Sequence, residues 1–302
     1  MARLAFVFSG QGAQYAGMGK SLYEGSTAAK TLLDTFEQIR PGTLEQCFSG
    51  PEETLKDTRN TQPCVFAVSM AAAAALTERG IRADALAGFS LGEVTALTFG
   101  GAFSAEDGFS LVMQRAEHMA EAAKQNPSSM LAILKLPAEQ VKIMIKNYVN
   151  LYPVNYNCPG QTVVAGDADT LQAFQTAVKA AGGRAIPLKV SGGFHSPYMQ
   201  SASLGFGETL QAYTPSPLQY PVYANLTAKP YGENITETLI LQMTNPVRWQ
   251  ETVENMINDG VSTFIELGPG KTLKGFIEKC SNQARAFHVE DMESLEGTKM
   301  LC

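Results

Sequence analysis

The stretch Ala85-Leu86-Ala87-Gly88-Phe89-Ser90-Leu91-Gly92-Glu93-Val94 decides how the chain folds. A short apolar run ends in a serine held between two glycines, and helix formers follow. A linker would carry more glycine and serine, and a helix would not place two glycines so close together. The letters match the G-x-S-x-G elbow, whose context is a strand before the serine and a helix after it. A serine hydroxyl attacks only when it stands clear of the backbone with a base beside it. A sharp strand-to-helix turn lifts it to the C-terminal edge of a sheet. The tight turn needs neighbours without bulky β-carbons, which Gly88 and Gly92 supply. The following helix aims free N–H groups and a partial positive charge at the site. The competing reading is a Gly-Ser turn that merely caps a helix.

Outward from this stretch, residues 4–8 read as a buried strand followed by the glycine-rich GQGAQ at 10–14. Residues 63–79 are alanine-rich and helical, 85–88 a strand, 91–98 a helix, and Ser104 caps a long helix running to about residue 124. Strands alternating with helices predict a largely parallel sheet covered on both faces. The middle differs. It reads as strand 130–134, helix 137–147, strands 153–156 and 162–165, helix 168–181 and strand 185–190. That βαββαβ order is a complete ferredoxin-like unit. We therefore expect a small ferredoxin-like subdomain at 127–190 inserted into a larger α/β domain made of 1–126 and 191–302. Beyond it the pattern resumes, with a helix from Pro197, strands at 221–224, 263–267 and 285–289, and helices at 236–243, 247–258 and 271–280.

Composition bounds the function. The 302 residues are 45% hydrophobic and 17% charged, as in a globular protein with a sizeable core. The net charge of −6 argues against nucleic-acid binding, which usually uses a basic stripe. The longest apolar stretch, 64–76, is too short to span a membrane, and the apolar start of the chain is too short for a signal peptide. The cysteines are Cys47, Cys64, Cys158, Cys280 and Cys302. No two have metal-ligand or redox spacing, so free thiols in a reducing cytoplasm are expected, with no metal site.

The chain offers three histidines as a base: His118, His195 and His288. His288 falls in a strand, where a structural role is expected, and His118 borders a helix face. His195 lies in SGGFHSPYM, between a glycine pair and a proline, where the insert returns to the main sheet. Such a junction faces the cleft between the two parts, and His195 is favoured over a surface role. No acid is placed well to complete a triad: Asp107, Asp167 and Asp169 lie at helix starts or in the insert. Either no third member exists or it is a main-chain carbonyl.

On a wheel of the helix 104–124, Phe109, Val112, Met113, Ala116 and Ala120 share a side. Arg115 falls within that apolar arc. A guanidinium there either snorkels to solvent, finds an internal carboxylate, or waits for a substrate carboxylate to grip bidentately. Other motifs fail. Gly19-Lys20-Ser21 and Gly270-Lys271-Thr272 lack the earlier glycine of a P-loop, which is Gln14 and Ile265 instead. Gly10-Gln11-Gly12 lacks the third glycine of a dinucleotide loop, where Tyr15 stands. GQGAQ instead suits a loop beside the elbow that supplies a second oxyanion N–H.

Six motifs occur in order: GQGAQ (10–14), GFSLGE (88–93), QRAEHM (114–119), GGFHSPYM (192–199), NPVRW (245–249) and ELGPGKTL (266–273). Together they resemble the malonyl-CoA:acyl-carrier-protein transacylases and the acyltransferase domains of polyketide synthases. The resemblance spans nearly the whole chain. It implies an α/β-hydrolase-like fold with a ferredoxin-like insert and a ping-pong acyl transfer feeding fatty acid or polyketide synthesis. Ser90 would attack the malonyl-CoA thioester, His195 would take its proton, and the phosphopantetheine thiol of an acyl carrier protein would then attack the malonyl-serine. The resemblance also implies that the Gln242 main-chain carbonyl orients His195, that the amides of Gln11 and Leu91 hold the oxyanion, and that Arg115 binds the malonyl carboxylate. No bound cofactor, nucleic acid or membrane is implied, and the family default is a monomer.

Phe194, before the histidine, matches the malonyl-type signature, whereas enzymes for branched extenders usually carry serine there. Malonyl is expected over methylmalonyl, by about 1–3 kcal/mol from shape alone. Phe89 departs from the family, which usually has histidine before the nucleophile. With Phe194 and Met119 it is expected to line the acyl pocket. Two other functions compete: hydrolysis of stalled acyl groups, in which the arginine is typically replaced, and a non-catalytic docking domain. Lys189, Lys271 and Lys274 are candidate carrier contacts.

Overall fold

The computed structural model describes residues 3–298, so Cys302 lies outside it. The chain opens with β1 (Arg3–Phe8), then α1 (Lys20–Gly25), α2 (Thr27–Ile39), α3 (Thr43–Ser49), α4 (Glu52–Lys56) and α5 (Thr58–Glu78). Next come β2 (Ala85–Gly88), α6 (Leu91–Phe99) and α7 (Ala105–Gln125). The middle segment holds β3 (Ser129–Leu134), α8 (Ala138–Ile145), β4 (Tyr152–Cys158), β5 (Gln161–Gly166), α9 (Ala168–Ala180) and β6 (Arg184–Pro187). The rest consists of α10 (Gln200–Leu210), β7 (Val222–Tyr223), α11 (Ile235–Gln242), α12 (Trp249–Asn258), β8 (Val261–Leu267), α13 (Thr272–Cys280), β9 (Arg285–Val289) and α14 (Met292–Glu296).

The strands form two sheets. The larger has the order β7-β2-β1-β8-β9, and every neighbouring pair is parallel. β1 lies at its centre. Phe6 and Phe8 point into one apolar cluster, while Ala5 and Val7 point into another on the opposite face. This is the near-continuous apolar strand of a sheet covered on both sides. In β2 the second face carries only Ala85 and Ala87, and Trp249 packs into that cluster.

The smaller sheet has the order β4-β5-β3-β6, and all its pairs are antiparallel. With α8 and α9 it reproduces the βαββαβ order expected of a ferredoxin-like unit. Leu131 and Ile133 face its own helices, whereas Met130 and Ala132 face the main core. The period-two alternation of β3 thus buries both sides of the sheet. A bridge between Asn155 and Val247 stitches β4 to the main body, with Tyr156 N donating to Val247 O at 2.9 Å.

Several boundaries differ from the sequence reading. α5 starts at Thr58, more than a turn ahead of Pro63, because the Asp57 side chain accepts from the Arg59 N–H and caps it. Pro63 therefore lies inside the helix and forfeits one backbone bond. β6 ends at Pro187 instead of 190, as Val190 N turns back onto Leu188 O. Pro197 opens a 3₁₀ turn (Pro197–Met199) ahead of α10. The Ser104 cap is as expected, its side chain accepting from Asp107 N.

Candidate active site

Ser90 stands at the C-terminal end of β2 with φ 54° and ψ −106°. Positive φ is costly for a residue with a β-carbon, on the order of 1–3 kcal/mol, and needs surrounding structure to hold it. That structure is present. Ser90 N donates to Asn225 Oδ1 at 2.7 Å, and Asn225 Nδ2 donates to Gly88 O at 2.7 Å. A Cβ on Gly92 would lie 2.1 Å from Phe8 O, so the start of α6 presses against the end of β1. A Cβ on Gly10 would lie 2.6 Å from Phe89 O, which brings the GQGAQ loop against the same turn.

His195 comes from the loop after β6 and reaches the serine across the cleft. Its Nε2 is 2.6 Å from Ser90 Oγ, and its Nδ1 is 2.9 Å from Gln242 O. A carbonyl only accepts, so Nδ1 carries the proton and Nε2 is free to accept from the hydroxyl. Burial, with the Arg115 charge beside it, pushes the imidazole down to about 4. His195 is therefore neutral at pH 7, the state a general base needs.

Arg115 lies on α7 and is 1% exposed, which excludes snorkelling. Its Nη1 donates to Gln62 Oε1 at 2.8 Å. Its Nη2 donates to Gln242 Oε1 at 2.9 Å and to Ser90 Oγ at 3.2 Å. Its Nε has no partner. Among the described residues no carboxylate lies within ion-pair distance of it. Burial pushes the guanidinium down to about 10, which leaves it charged at pH 7. A buried, charged, incompletely satisfied fork beside a serine hydroxyl has the chemistry to receive an anion.

The backbone amides of Gln11 and Leu91 have no acceptor among the described residues. Gln11 anchors its side chain on Thr58 Oγ1 at 2.9 Å. Beside the elbow a cavity of about 520 Å³ opens between the two sheets. Gln11, Phe89, Asn155, Lys189 and Phe276 lie in its wall. Ser90 itself is only partly buried.

The three residues expected to line an acyl pocket are not brought together. Phe194 and Met119 share the cluster on the α7 side of the sheet. Phe89 turns the other way, onto Trp249 with ring centroids 5.7 Å apart and toward Phe276 at 6.4 Å. The alternation of β2 explains the split: Phe89 continues the face of Ala85 and Ala87, on which Trp249 packs, whereas Phe194 and Met119 lie on the face of Leu86.

Five contributions escaped the sequence reading: Gln62, Asn225, Tyr231, Glu93 and the side chain of Gln242. Gln242 Nε2 donates to Ser90 O at 2.9 Å and to Glu93 Oε2 at 2.8 Å, and Tyr231 Oη donates to Glu93 Oε1. Only Glu93 left a signal. Residues 91–98 are all buried, and Glu93 is the one charged residue among them.

The other histidines lie elsewhere. His118 Nε2 meets Thr209 Oγ1 at 3.1 Å, and His288 pairs with Glu290 at 3.6 Å on β9. Cys47, Cys64, Cys158 and Cys280 are free thiols. Among the described residues no group of His, Cys, Asp and Glu gathers to hold a metal, and no helix is long and apolar enough to cross a membrane.

Known proteins resemble this chain over nearly its whole length. The family model described as the acyl transferase domain matches residues 5–296. The chain is 40% identical to a malonyl CoA-acyl carrier protein transacylase of Bacillus subtilis (strain 168), over 98% of this chain and 96% of that protein. The crystal structure of a malonyl CoA-acyl carrier protein transacylase from Clostridium perfringens superposes with a TM-score of 0.96 at 38% identity, covering 99% of this chain and 97% of that one. A malonyl-transacylase solved in complex with a type II PKS acyl-carrier protein superposes with a TM-score of 0.94 at 32% identity, covering all of both chains.

Proposed function

The chain belongs to the acyltransferase family that includes the malonyl-CoA–acyl carrier protein transacylases, and on that premise we propose that it moves a malonyl group from malonyl-CoA to the phosphopantetheine thiol of an acyl carrier protein, through an acyl-enzyme on Ser90. The transfer supplies fatty acid or polyketide synthesis. The observation that carries this reading is Arg115, a buried guanidinium 3.2 Å from the Ser90 hydroxyl with no carboxylate of its own. An acyl group ending in a carboxylate supplies the missing charge.

In the first half-reaction Ser90 Oγ attacks the thioester carbonyl while His195 Nε2 takes the hydroxyl proton. The Gln242 carbonyl holds the resulting imidazolium through Nδ1–H. The amides of Gln11 and Leu91 receive the oxyanion, and the N-terminus of α6 adds its partial positive charge. The C–S bond breaks, and CoA leaves as a thiol with the proton from His195. In the second half-reaction the carrier thiol gives its proton to His195 and attacks the malonyl-serine. The C–O bond to Ser90 then breaks, and the hydroxyl regains its proton.

Residues 127–190 act in this reading as an inserted subdomain that closes one wall of the cleft, with 1–126 and 191–302 forming the catalytic body. Phe194 and Met119 bound the acyl group, and Phe89 contacts the arm of the thioester in the cavity. The working unit is a cytoplasmic monomer without a resident cofactor.

Mass spectrometry after incubation with malonyl-CoA tests the proposal. A malonyl adduct on the Ser90 peptide is expected, with discharge to holo carrier protein much faster than to water. Equal discharge to water would make the protein a hydrolase, and the absence of any adduct would remove the acyl-enzyme.

A further inference from the structure

We propose that Glu93 is a positioning residue for acyl-group selection: its carboxylate fixes which way the Gln242 side-chain amide points, and the amide in turn aims Arg115. The inference rests on the reading that Arg115 receives the acyl carboxylate.

Glu93 is fully buried in the first turn of α6, three residues after Ser90. Both of its oxygens are engaged, Oε1 by Tyr231 Oη and Oε2 by Gln242 Nε2 at 2.8 Å. The same Nε2 also donates to Ser90 O at 2.9 Å. Gln242 Oε1 is left to accept from Arg115 Nη2 at 2.9 Å.

An amide has nearly the same shape after a half-turn about its last bond, so shape does not choose between the two orientations. The partners do. The Ser90 main-chain carbonyl only accepts, the guanidinium only donates, and Glu93 Oε2 accepts while its Oε1 takes the Tyr231 hydroxyl, so the NH₂ faces the two oxygens and the amide oxygen faces the guanidinium. The reverse orientation would set an NH₂ against N–H donors and leave two buried acceptors facing an oxygen. With Glu93 in place, the fork is held between Gln62 and Gln242, and its Nη2 lies beside the reacting hydroxyl. Without Glu93 one of the two acceptors that fix the amide is gone. The remaining one, Ser90 O, already accepts from Glu93 N at 3.0 Å.

Removing Glu93 therefore harms the grip on a carboxylate more than it harms acyl transfer as such. The test measures kcat and KM for malonyl-CoA and acetyl-CoA, with holo carrier protein, in Glu93→Ala, Glu93→Gln, Arg115→Ala and the double variant Glu93→Ala/Arg115→Ala. In Glu93→Ala, kcat/KM for malonyl-CoA is expected to fall about tenfold further than for acetyl-CoA, the worth of one charge-assisted hydrogen bond. In the Arg115→Ala background the same substitution should change malonyl transfer by less than about threefold, because the residue it acts through is gone. Glu93→Gln keeps an acceptor for Gln242 Nε2 and should recover most of the preference. Tyr231→Phe, which frees one Glu93 oxygen, should shift the preference the same way by a smaller factor, and it decides the matter if Glu93→Ala does not fold.

Equal losses for both acyl groups would overturn the proposal, as would an undiminished effect of Glu93→Ala without Arg115. Failure of the underlying reading has a different signature. Arg115→Ala alone would then leave the malonyl preference intact, and the inference would fall with it.

Discussion

A Cβ placed on Gly88 would lie 1.8 Å from the carbonyl oxygen of Gly92, so the strand that delivers Ser90 and the helix that leaves it meet backbone to backbone. Gly88→Ala must push α6 away from β2 and should cost about 3 kcal/mol of stability. Gly12→Ala is the control. Nothing lies within 4 Å of its Cβ, and only its φ of +105° opposes the change, at about 1–2 kcal/mol. Chemical denaturation of the two variants measures the gap, and equal stabilities would contradict this account of the elbow.

In the proposed mechanism the acid limb of the acylation rate reports on His195. Burial and the neighbouring Arg115 push its imidazole down to about 4. The base stays neutral as pH falls through the ordinary histidine range. The single-turnover rate of malonyl-enzyme formation should hold from pH 8 to about 5 and fall only below that. A midpoint near the unperturbed value of about 6.5 would show that the buried environment does not govern the base.

Arg115→Ala should lower kcat/KM for malonyl-CoA about 100-fold, the worth of two charge-assisted hydrogen bonds of about 1.5 kcal/mol each. Transfer of acetyl groups should fall far less, so the preference between the two narrows. Competition assays with both CoA esters read the ratio directly.

Glu266 links stability to pH. It accepts from Lys274 N at 2.8 Å at the start of α13, and burial pushes its carboxyl up to about 7. A carboxyl raised in the folded state contributes most below its unfolded value of about 4.5, and that contribution is lost as pH rises through 7. Between pH 5 and 8 Glu266 contributes a decline on the order of 3 kcal/mol at most; the buried Glu93 carboxyl, also pushed up to about 7, adds a decline of the same sign, and His195, pushed down to about 4, adds an opposing rise below its ordinary value. Glu266→Gln keeps an acceptor for the helix start, and its stability should be flatter over the same window. Thermal melts across the range test this, and parallel curves would remove Glu266 as the cause.

The parts of the molecule that could be read in advance are those encoded locally. β2, the glycine-flanked serine and α6 follow one another within fifteen residues, and each announces itself by pattern. The βαββαβ order of the insert is written in alternating strand and helix periods with glycine stops. Arg115 betrayed itself by standing in the apolar arc of α7, and its burial bears that out. The missed features depend on distant segments. Gln62, Glu93, Asn225, Tyr231 and Gln242 come from five places in the chain, and nothing in any one of them marks an amide that will meet a guanidinium. Of the helices between Lys20 and Lys56, α1, α3 and α4 have seven residues or fewer and carry too few turns for a periodicity to show, whereas α2 has thirteen and buries Ala29, Leu33 and Phe36 at helical spacing, a pattern the sequence does carry. Phe89 lies away from Phe194 and Met119 because it continues the Ala85–Ala87 face of β2, a period-two placement that adjacency to Ser90 does not override.

The two-faced burial of the smaller sheet has a consequence for protein engineering. Met130, Ala132, Val154, Val163 and Ala165 sit on its inner side and merge with the apolar cluster around the larger sheet. Grafting this segment from another acyltransferase would therefore fail if cut only at its sequence ends. A viable chimera has to import the matching seam on the recipient as well, including the strip around Val247 to which β4 is stitched.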